Sequence, residues 1–517
     1  MKNSCYKLSG FQYLFREIYL KRNIRFENSL SFNYAMDVLL IFPPLSVEER
    51  YGNRKLGDVG GHLPPFGLAC IASYIREHSF TVKIIDALAE NMDSGQVLDY
   101  IGRHQPRVIG ITAMTPQFQR TVQISKGLYE RFPGILTVIG GHHASIMPDD
   151  TLGENFGLDL LVYGEGEETF LEIINKYREM GWDKNELLND TESLKAIDGI
   201  AFRDKKNNIK INKSRKQIEN LDSLPSPAWD LLPVERYLPL PNQYLNKPVI
   251  HMVSIRGCPF NCGFCSNNSV FGKKIRARSP EKVVEDIKYV KSEYNIKEIS
   301  FWDDTMTVNK KWLERFCNCL IENRVNVTWT CYSRVDTVNL EILKLMKKAG
   351  CWNIFYGYES GNQQLLDNIN KGITLEQIRN ANKWTKEAGI EVRASFMIAL
   401  PGETPEMAKK TIDFAIELEP EYAQFSITTP YPGTQLYDAA KNSGRLRDDF
   451  SKFNMWEVVY VPYGYKDEDQ ILAIEKMAMR MFYFRFKFIF KKLKRIRSFE
   501  DIKRYFNGFK MAIGFTT

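Results

Sequence analysis

Short apolar runs alternate with amphipathic stretches over residues 36–180, and this rhythm predicts a first sheet. Each apolar run is followed by a segment whose apolar residues recur every three or four positions, as Leu68, Ile71 and Ile75 do in Pro65–His78. The predicted strands are Asp37–Pro43, Thr81–Asp86, Arg107–Met114, Leu136–Gly140 and Leu158–Tyr163. The intervening helices are predicted at Pro65–His78, Ser94–His104, Pro116–Phe132, Pro148–Phe156 and Thr169–Met180. Strands joined by helices favour a doubly wound, Rossmann-like parallel sheet.

A second series of strands and helices begins after a polar interval. Asp204–Asn208 reads as the turn of a hairpin, and Leu224–Pro241 is a proline-rich, extended connector. The strands of the second series are predicted at Val249–Ser254, Glu298–Asp303, Thr328–Tyr332, Asn353–Tyr358, Glu391–Ala399 and Tyr422–Thr428. Six parallel strands predict a partial TIM-like (β/α)6 barrel, whose reactive residues should lie at the carboxyl ends of the strands.

Five regions follow from these patterns. They are a basic and aromatic N-terminal extension (1–35), the first sheet domain (36–180), a hairpin and proline-rich linker (181–245), the barrel (246–450) and a helical basic and aromatic C-terminal region (451–517). Within the last region, the alternation from Phe482 to Phe490 looks like a strand, whereas its flanks look helical.

Composition and charge narrow the class of protein. No apolar stretch is long enough to span a membrane, no signal peptide is evident, and nine cysteines are too few for a disulfide scaffold. We therefore expect a reduced, cytoplasmic setting, in which clustered cysteines suggest metal or redox chemistry. The net charge of +7 is concentrated at the two ends: residues 480–510 carry eleven Lys or Arg against two Asp or Glu, and residues 1–35 carry six against two. The body is therefore net acidic, which argues against a nucleic-acid binder.

The segment Arg256–Ser266 (RGCPFNCGFCS) holds the most specific motif of the chain. Cys258, Cys262 and Cys265 form a C-x3-C-x2-C triplet directly after the first barrel strand. Three thiolates on one loop can ligate three irons of a 4Fe–4S cube and leave the fourth iron open for a small molecule. A zinc site is the alternative, but zinc usually takes four protein ligands, and a second cysteine pair is not evident in the sequence.

The triplet, its aromatic neighbour and the six-strand series resemble the radical S-adenosylmethionine (SAM) superfamily. The resemblance implies that SAM binds the open iron, that one electron cleaves it to methionine and a 5′-deoxyadenosyl radical, and that this radical takes hydrogen from an unreactive carbon. It also implies that the strand-end motifs FWDDT, SRVD, GYESG and ALPGET contact SAM or substrate. The residues expected there are Phe264, Asp303, Asp304, Arg334, Glu359, Gly361 and Pro401, with Glu359 on the SAM ribose. A helix cap near Asn362 is the alternative role of Glu359.

Loops of the first domain resemble those of the cobalamin-binding domain that precedes the barrel in one large subgroup. In that resemblance the cofactor is lined by Thr115, Gly140, Gly141, His142, Gly164 and Gly166. The D-x-H-x-x-G motif that supplies a lower cobalt ligand is missing, so no histidine is assigned to cobalt. The alternative is a degenerate domain that packs against the barrel and binds nothing.

Most of the chain is similar to the group that includes the anaerobic magnesium-protoporphyrin IX monomethyl ester cyclase and enzymes acting on lipids. This resemblance implies methylation or oxidative ring formation at an unactivated carbon of a small, hydrophobic substrate, with electrons from a flavodoxin or ferredoxin. The alternatives are a radical enzyme that modifies RNA or protein and a non-catalytic cobalamin or iron–sulfur binding protein. We expect no nucleic-acid partner. The basic, aromatic tail either caps the barrel or contacts a membrane surface.

Overall fold

The computed structural model describes residues 36–52, 54, 60–153 and 155–515, which belong to one compact unit. The expected N-terminal extension, residues 1–35, lies outside the described residues. Two parallel sheets, each covered by helices, organise this unit, so the predicted α/β architecture is confirmed.

The first sheet has seven strands. They are β1 Val38–Phe42, β2 Val82–Asp86, β3 Val108–Thr112, β4 Leu136–Gly140, β5 Leu160–Val162, β6 Ile200–Arg203 and β7 Ile209–Ile211, in the order β2-β1-β3-β4-β5-β6-β7. The first five are parallel, as predicted, and β1 is wholly buried between two layers of helices. The predicted hairpin forms β6 and β7, and it extends this sheet as an antiparallel edge.

Nine helices are described in this half of the chain. They are α1 Val47–Arg50, α2 Phe66–Glu77, α3 Ser94–His104, α4 Phe118–Arg131, α5 His142–Ile146, α6 Pro148–Leu152, α7 Glu167–Glu179, α8 Lys184–Asn189 and α9 Thr191–Ala196. The helix predicted over Pro148–Phe156 is wrong in its extent. It ends at Leu152, because Gly153 leaves the helical conformation with φ +21°, and a separate turn of helix, α5, precedes it.

The barrel contains all six predicted strands. They are β8 Val249–Met252, β11 Glu298–Phe301, β12 Thr328–Ser333, β13 Cys351–Glu359, β14 Glu391–Ile398 and β15 Tyr422–Ile427, all parallel and in the order β15-β14-β13-β12-β11-β8. A short antiparallel pair, β9 Ile255–Arg256 with β10 Arg276–Ala277, brackets the cysteine loop. A second pair, β16 Gly444–Leu446 with β17 Tyr460–Pro462, follows the barrel.

Helices cover the outer face of the barrel strands. They are α10 Pro280–Tyr294, α11 Lys310–Glu322, α12 Leu340–Lys348, α13 Gln363–Asn368, α14 Leu375–Glu387, α15 Pro405–Leu418 and α16 Gln435–Ser443. The side chains between strands and helices form one apolar core, which includes Trp329, Tyr356 and Phe396 at 0 % exposure. This packing fixes the strand ends at which the candidate site lies.

The C-terminal region is helical, as predicted, and consists of α17 Glu468–Tyr483, α18 Phe486–Leu493 and α19 Phe499–Gly514. The strand-like alternation from Phe482 to Phe490 is misleading. The chain bends at Arg485, so the even-numbered phenylalanines divide between two helices. Lys491 of α18 and Arg495, just after it, pair with Glu421 beside the amino end of β15, so the inner side of the tail covers that end of the barrel. No helix among the described residues is long and apolar enough to cross a membrane.

Candidate active site

The cysteine loop leaves the barrel between β9 and β10 and is held by backbone hydrogen bonds. Gly257 begins it with φ +90°, and a side chain there would overlap the carbonyl of Lys274, so only glycine fits. The amide of Cys258 donates to Gly272 O at 3.1 Å, and the amide of Gly263 donates to Ile369 O at 2.8 Å. These bonds fix both halves of the loop without using any cysteine side chain.

Cys265 is exposed, whereas Cys258 and Cys262 are partly buried. Among the described residues, no three His, Cys, Asp or Glu side chains are placed as the ligands of one metal ion would be. A zinc ion brings its sulfur ligands within about 4 Å of one another, whereas a cube carries them on separate irons. Three thiols at this spacing on one loop therefore fit a cluster. The other described barrel cysteines (Cys317, Cys319, Cys331 and Cys351) are buried in helices and strands, as predicted.

Arg334 and Lys371 connect the cysteine loop to two strand ends of the barrel. Arg334, after β12, lies with Nη1 3.2 Å from Cys262 Sγ and donates from Nη2 to Lys371 O at 2.8 Å. Lys371 Nζ lies 2.6 Å from Glu359 Oε1 at the end of β13 and 5.3 Å from the ring centre of Phe264. Four side chains from separate segments thus meet beside the loop.

Glu359 is buried, and its Oε1 accepts a hydrogen bond from Lys371 at 2.6 Å, which leaves Oε2 outside that bond. Its alternative role as a helix cap is wrong, because Asn362 caps α13 by accepting from the amides of Gln364 and Leu365. Its backbone adopts φ +61°, a strained conformation for a residue other than glycine. The binding of SAM by Glu359 stays a prediction.

Asp303 and Asp304 lie at the end of β11, as predicted, and already have protein partners. Asp303 accepts from the amide and hydroxyl of Ser254, both at 2.6 Å, and from the amide of Ile255 at 2.7 Å. It therefore positions the strand that leads into the cysteine loop, and burial raises its pKa to about 7. Asp304 accepts from Asn267, just after the loop. Contacts of these carboxylates with SAM stay a prediction.

The remaining predicted barrel residues lie on packing contacts. A side chain at Gly361 would collide with α15, where its amide donates to Thr411 Oγ1 at 3.1 Å. Pro401 follows Leu400, which packs with Phe264 of the cysteine loop. Glu403, in the same strand-end motif, accepts from Tyr465 at 2.9 Å and is fully buried, which indicates a structural role.

The carboxyl edge of the first sheet faces the cysteine loop. The His142 ring centre lies 6.2 Å from that of Phe271, which follows the loop. His142 is exposed at this edge, and desolvation by the protein around its ring lowers its pKa. Gly164, with open space where a side chain would point, lies on the neighbouring strand end. This edge is open at His142 and Gly164.

The other predicted residues of this edge differ in their contacts. Gly141 turns the chain after Gly140 with φ +97°, and a side chain there would overlap Thr112 and Ala113. Thr115 is buried, 3.4 Å from Nδ1 of His143, whose pKa burial lowers to about 4. Gly166 packs on Ile71 of α2. Only His142 and Gly164 of the six predicted residues are shown facing open space.

A buried group of four charges joins this edge to the cysteine loop. We call it the charge quartet: Glu165 and Glu167 of the first domain with Arg256 and Arg276 of β9 and β10. Arg256 lies 2.9 Å from Glu165 and 2.5 Å from Glu167, and Arg276 lies 2.7 Å from Glu165. All four side chains are at most 9 % exposed, and their charges balance.

Sequence reasoning missed the quartet and Lys371. Three of these residues lie in segments that the sequence analysis used: Glu165 and Glu167 flank Gly166, and Arg256 opens RGCPFNCGFCS. Arg276 and Lys371 lie outside the motifs. Opposite charges in two such motifs are a signal for pairing, but nothing along the chain says which pairs form.

The comparisons with known proteins place these two halves in known families. Residues 252–415 match the Radical SAM superfamily, and residues 56–174 match the B12 binding domain. An uncharacterized methyltransferase of Pyrococcus horikoshii is 35 % identical, with 92 % of this chain and 98 % of the relative covered. The anaerobic magnesium-protoporphyrin IX monomethyl ester cyclase of Rubrivivax gelatinosus is 31 % identical, with 78 % of this chain and 71 % of the relative covered.

The chain belongs to the cobalamin-dependent radical SAM enzymes. Its fold agrees with that of the radical SAM enzyme OxsB, solved with aqua-cobalamin and SAM bound, at a TM-score of 0.70 and 16 % identity over 97 % of this chain and 76 % of that chain. The cofactors of this radical SAM enzyme are a 4Fe–4S cluster, SAM and cobalamin, as predicted. The cysteine loop and the open edge beside His142 fit the cluster and the corrin, respectively.

The three cysteines of the loop should all be required for the cluster. Each supplies one thiolate, so replacing Cys258, Cys262 or Cys265 by alanine should remove most iron and the cluster absorbance after anaerobic reconstitution. Cys317→Ala, a buried thiol in α11, is the matched control and should retain iron. Loss of the cluster in this control, with iron retained in the loop variants, would show that the assignment is wrong.

The quartet should make stability depend on pH. Although burial alone raises the pKa of Glu165, the charges and hydrogen bonds of Arg256 and Arg276 hold it below its ordinary value of 4.5. The ionised Glu165 therefore stabilises the folded protein fully above about pH 4.5, and this stabilisation is lost as the pH falls through the lower folded-state pKa. Glu165→Gln should cost about 3 kcal/mol of unfolding free energy at pH 7, and this difference should shrink in acid.

Denaturant titrations of the wild type and Glu165→Gln at pH 7 and pH 4 measure this difference. The control is Glu168→Gln, whose carboxylate is 42 % exposed and 4.0 Å from Arg215, and which should cost under about 1 kcal/mol at either pH. Equal effects of the two substitutions would exclude a special role for the quartet.

Proposed function

We propose that this enzyme uses SAM and cobalamin to modify an unactivated carbon of a small, hydrophobic molecule, with methyl transfer as the leading reaction and oxidative cyclisation as the alternative. The observation that carries the proposal is the charge quartet, which holds the open edge of the first sheet against the cysteine loop. Two cofactor sites that face one enclosed space can act on one substrate.

The residues proposed to hold the cofactors follow from this arrangement. Cys258, Cys262 and Cys265 would hold the cluster, and the free oxygen of Glu359 would accept a hydrogen bond from the SAM ribose. His142 and Gly164 would contact the corrin, without a lower cobalt ligand from the protein. When bound, the cluster supplies the electron that cleaves SAM, and cobalamin carries the methyl group.

The protein's own side chains position these groups and exclude water. Arg334 contacts Cys262 and donates to the backbone of Lys371, and Lys371 donates to Glu359. A shift of the loop would therefore displace Glu359 at the proposed ribose site. Phe260 covers the guanidinium of Arg334 at 3.7 Å, and Phe264 packs against Leu400. These rings shield the loop from solvent, which favours a reaction that passes through radicals.

Methylation and cyclisation differ in the products of SAM. Methylation of one C–H bond consumes two SAM molecules and two electrons, and yields methionine, 5′-deoxyadenosine, S-adenosylhomocysteine and the methylated product. Cyclisation cleaves SAM to methionine and 5′-deoxyadenosine and yields no S-adenosylhomocysteine. A flavodoxin or ferredoxin is the proposed electron donor. The methyltransferase relative favours the first outcome, because it is similar along nearly the whole chain.

The test needs no known substrate. Protein reconstituted with iron, sulfide and hydroxocobalamin is reduced with titanium(III) citrate and given SAM with a deuterated methyl group. A methyltransferase should form 5′-deoxyadenosine by uncoupled cleavage, and also S-adenosylhomocysteine up to about one equivalent per cobalamin. Both are quantified by mass spectrometry, with Cys262→Ala as the control that should lose only the 5′-deoxyadenosine.

The outcomes separate the alternatives. 5′-Deoxyadenosine without S-adenosylhomocysteine would favour cyclisation, and formation of neither product would contradict the proposal as a whole. Failure to retain cobalamin would contradict the assignment of the first domain.

We also propose that the tail contacts a lipid surface. Phe499, Ile502, Phe506 and Phe509 recur every three or four residues on one face of α19 and are 49–78 % exposed. Phe486 in α18 is 92 % exposed, with Phe490 and Leu493 one and two turns on. An amphipathic helix that turns its apolar stripe outward, away from the core, is typical of helices that lie in a membrane interface.

The positive charge of the tail favours an anionic lipid surface as the partner of this apolar face. Lys494, Arg497, Lys503 and Lys510 are exposed beside the apolar stripes, and none forms an ion pair with a described residue. A second copy of the chain would bring two such basic faces together, and the N-terminal extension is itself basic, so both would be repelled. RNA is a poorer match, because Ile502 and Leu493 cannot stack on bases.

Sedimentation with vesicles tests this contact. The protein should bind phosphatidylglycerol vesicles and be released from them by 0.5 M NaCl, and it should bind phosphatidylcholine vesicles weakly. Phe499→Ser with Phe506→Ser removes apolar area and should weaken binding at least about tenfold. Tyr463→Ser, which changes a residue 77 % exposed elsewhere, should bind normally. Equal binding of both variants, or dimerisation instead of vesicle binding, would contradict the proposal.

A further inference from the structure

The inside of the barrel is an open chamber rather than a packed core. Along β12–β15 the side chains that face the helices are buried, whereas several of those that point inward keep accessible surface. The inward residues with accessible surface are Tyr332, Phe355, Gly357, Ser395, Met397 and Gln424. Because they line the lumen of the sheet, the chamber lies directly beneath the strand ends that carry the candidate site.

The lower wall of this chamber is polar. His251, Ser300, Thr330 and Asn353 are register partners on four adjacent strands. Ser300 and Thr330 hydrogen-bond to each other at 3.2 Å. Both ring nitrogens of His251 and both amide atoms of Asn353 are buried without a hydrogen-bond partner. Buried polar groups are rarely left unsatisfied, so this wall is built to meet polar atoms that the protein does not supply.

Arg393 of β14 brings a full positive charge into the same chamber. It is 5 % exposed, and no carboxylate of the described residues lies within ion-pair distance of it. Its Nε has no partner, and its contact with the carbonyl of Asn242, at 3.4 Å, is long. The side chain of Tyr332 is a hydrogen-bond partner of the guanidinium, but it carries no formal negative charge. Its guanidinium carbon lies 4.6 Å from the ring centre of Phe355, which offers only a modest compensation.

Water accounts for the neutral groups but not for this charge. Ordered waters commonly satisfy a buried imidazole or amide, and His251 stays neutral because burial and the Arg393 charge lower its pKa to about 3. A buried charge is costly unless an opposite charge compensates it. The other buried arginines next to the site, Arg256, Arg276 and Arg334, all have carboxylate partners.

We propose that Arg393 binds an anionic group of the substrate, a carboxylate or phosphate, at the floor of the barrel chamber. This inference rests on the proposed function, since it places the substrate of the same reaction. The apolar body of the substrate would lie against Tyr332 and Phe355, with Trp302, 39 % exposed above them, toward the cysteine loop.

The position of Arg393 also bounds the length of the substrate. It lies five residues before the end of β14, which at about 3.3 Å per residue is roughly 16 Å along the strand, or about 13 Å along a barrel axis tilted by some 36°. SAM held at the strand ends would occupy the upper part of that depth. The reacting carbon should therefore be on the order of 10 Å from the anionic group. An amphipathic molecule with one acidic end fits this chamber.

Binding of simple probes tests the proposal without the substrate. Octanoate, octyl phosphate and the uncharged octanamide are titrated calorimetrically into the reconstituted holoenzyme. The wild type should bind at least one anion about tenfold or more tightly than octanamide, as expected for a charge-assisted hydrogen bond, and the two anions distinguish carboxylate from phosphate recognition. Arg393→Met should lose this preference. Arg379→Met, which changes an exposed arginine paired with Glu417, should keep it.

The melting temperature of Arg393→Met distinguishes an arginine kept for a ligand from one that supports the fold. If the charge is kept for a ligand, ligand-free Arg393→Met should melt at the same temperature as the wild type or higher, because the substitution removes an uncompensated buried charge. If Arg393 merely supports the fold, the melting temperature should fall. If Arg393→Met does not fold, Arg393→Gln replaces it in both measurements.

Three results would overturn the inference: equal binding of anion and amide, an anion preference that survives in Arg393→Met and Arg393→Gln, or no binding of either anion at millimolar concentration. The proposed function fails separately, because it is judged by SAM products formed without any probe. A wild type that prefers octanoate but cleaves no SAM would retain this inference and lose that function.

Discussion

The buried charge quartet is the interaction on which the working arrangement of this enzyme depends. Glu165 and Glu167 belong to the first sheet, while Arg256 and Arg276 bracket the cysteine loop of the barrel. Their low exposure makes each charge expensive to leave alone, so the quartet forms only when the two halves adopt one relative position. The amide of Ile218 in the linker also donates to Glu165 at 2.9 Å, which ties a third segment to the same point.

Positioning extends from the quartet into the candidate site through a few polar contacts. Asp303 fixes the entrance to the cysteine loop through Ser254 and Ile255, and Arg334 fixes its middle through Cys262. Lys371 then links that arginine to Glu359 at a third strand end. Three thiolates on one loop do not by themselves fix the orientation of that loop in the barrel. These contacts therefore supply the orientation that radical transfer requires.

The barrel interior and the tail share one property: both contain residues that do not stabilise the fold. Arg393 remains in the lumen without a carboxylate partner, and the phenylalanines of α19 face outward. Each lowers the stability or solubility of the free protein, which is expected where a surface is kept for a ligand. The two features favour an amphipathic substrate with an acidic end, handled by an enzyme that can rest on a lipid surface.

The sequence by itself determined the elements and the chemistry of the loop. Short apolar runs alternating with period-3.6 stretches identify both series of strands. Three closely spaced cysteines suggest a cluster without tertiary information, because all three ligands come from one short segment. The end of α6 at Leu152, the two helices across Phe482–Phe490 and the roles of Asp303 and Gly361 required the structure. Each of these depends on what packs against the residue, which neighbours along the chain do not reveal. The quartet joins residues that are 89 to 111 positions apart. Arg393 is recognised only because no carboxylate of the described residues lies near it. Tertiary structure decided these points because pairing, burial and the lack of a partner are relations between distant segments, and no local pattern encodes them.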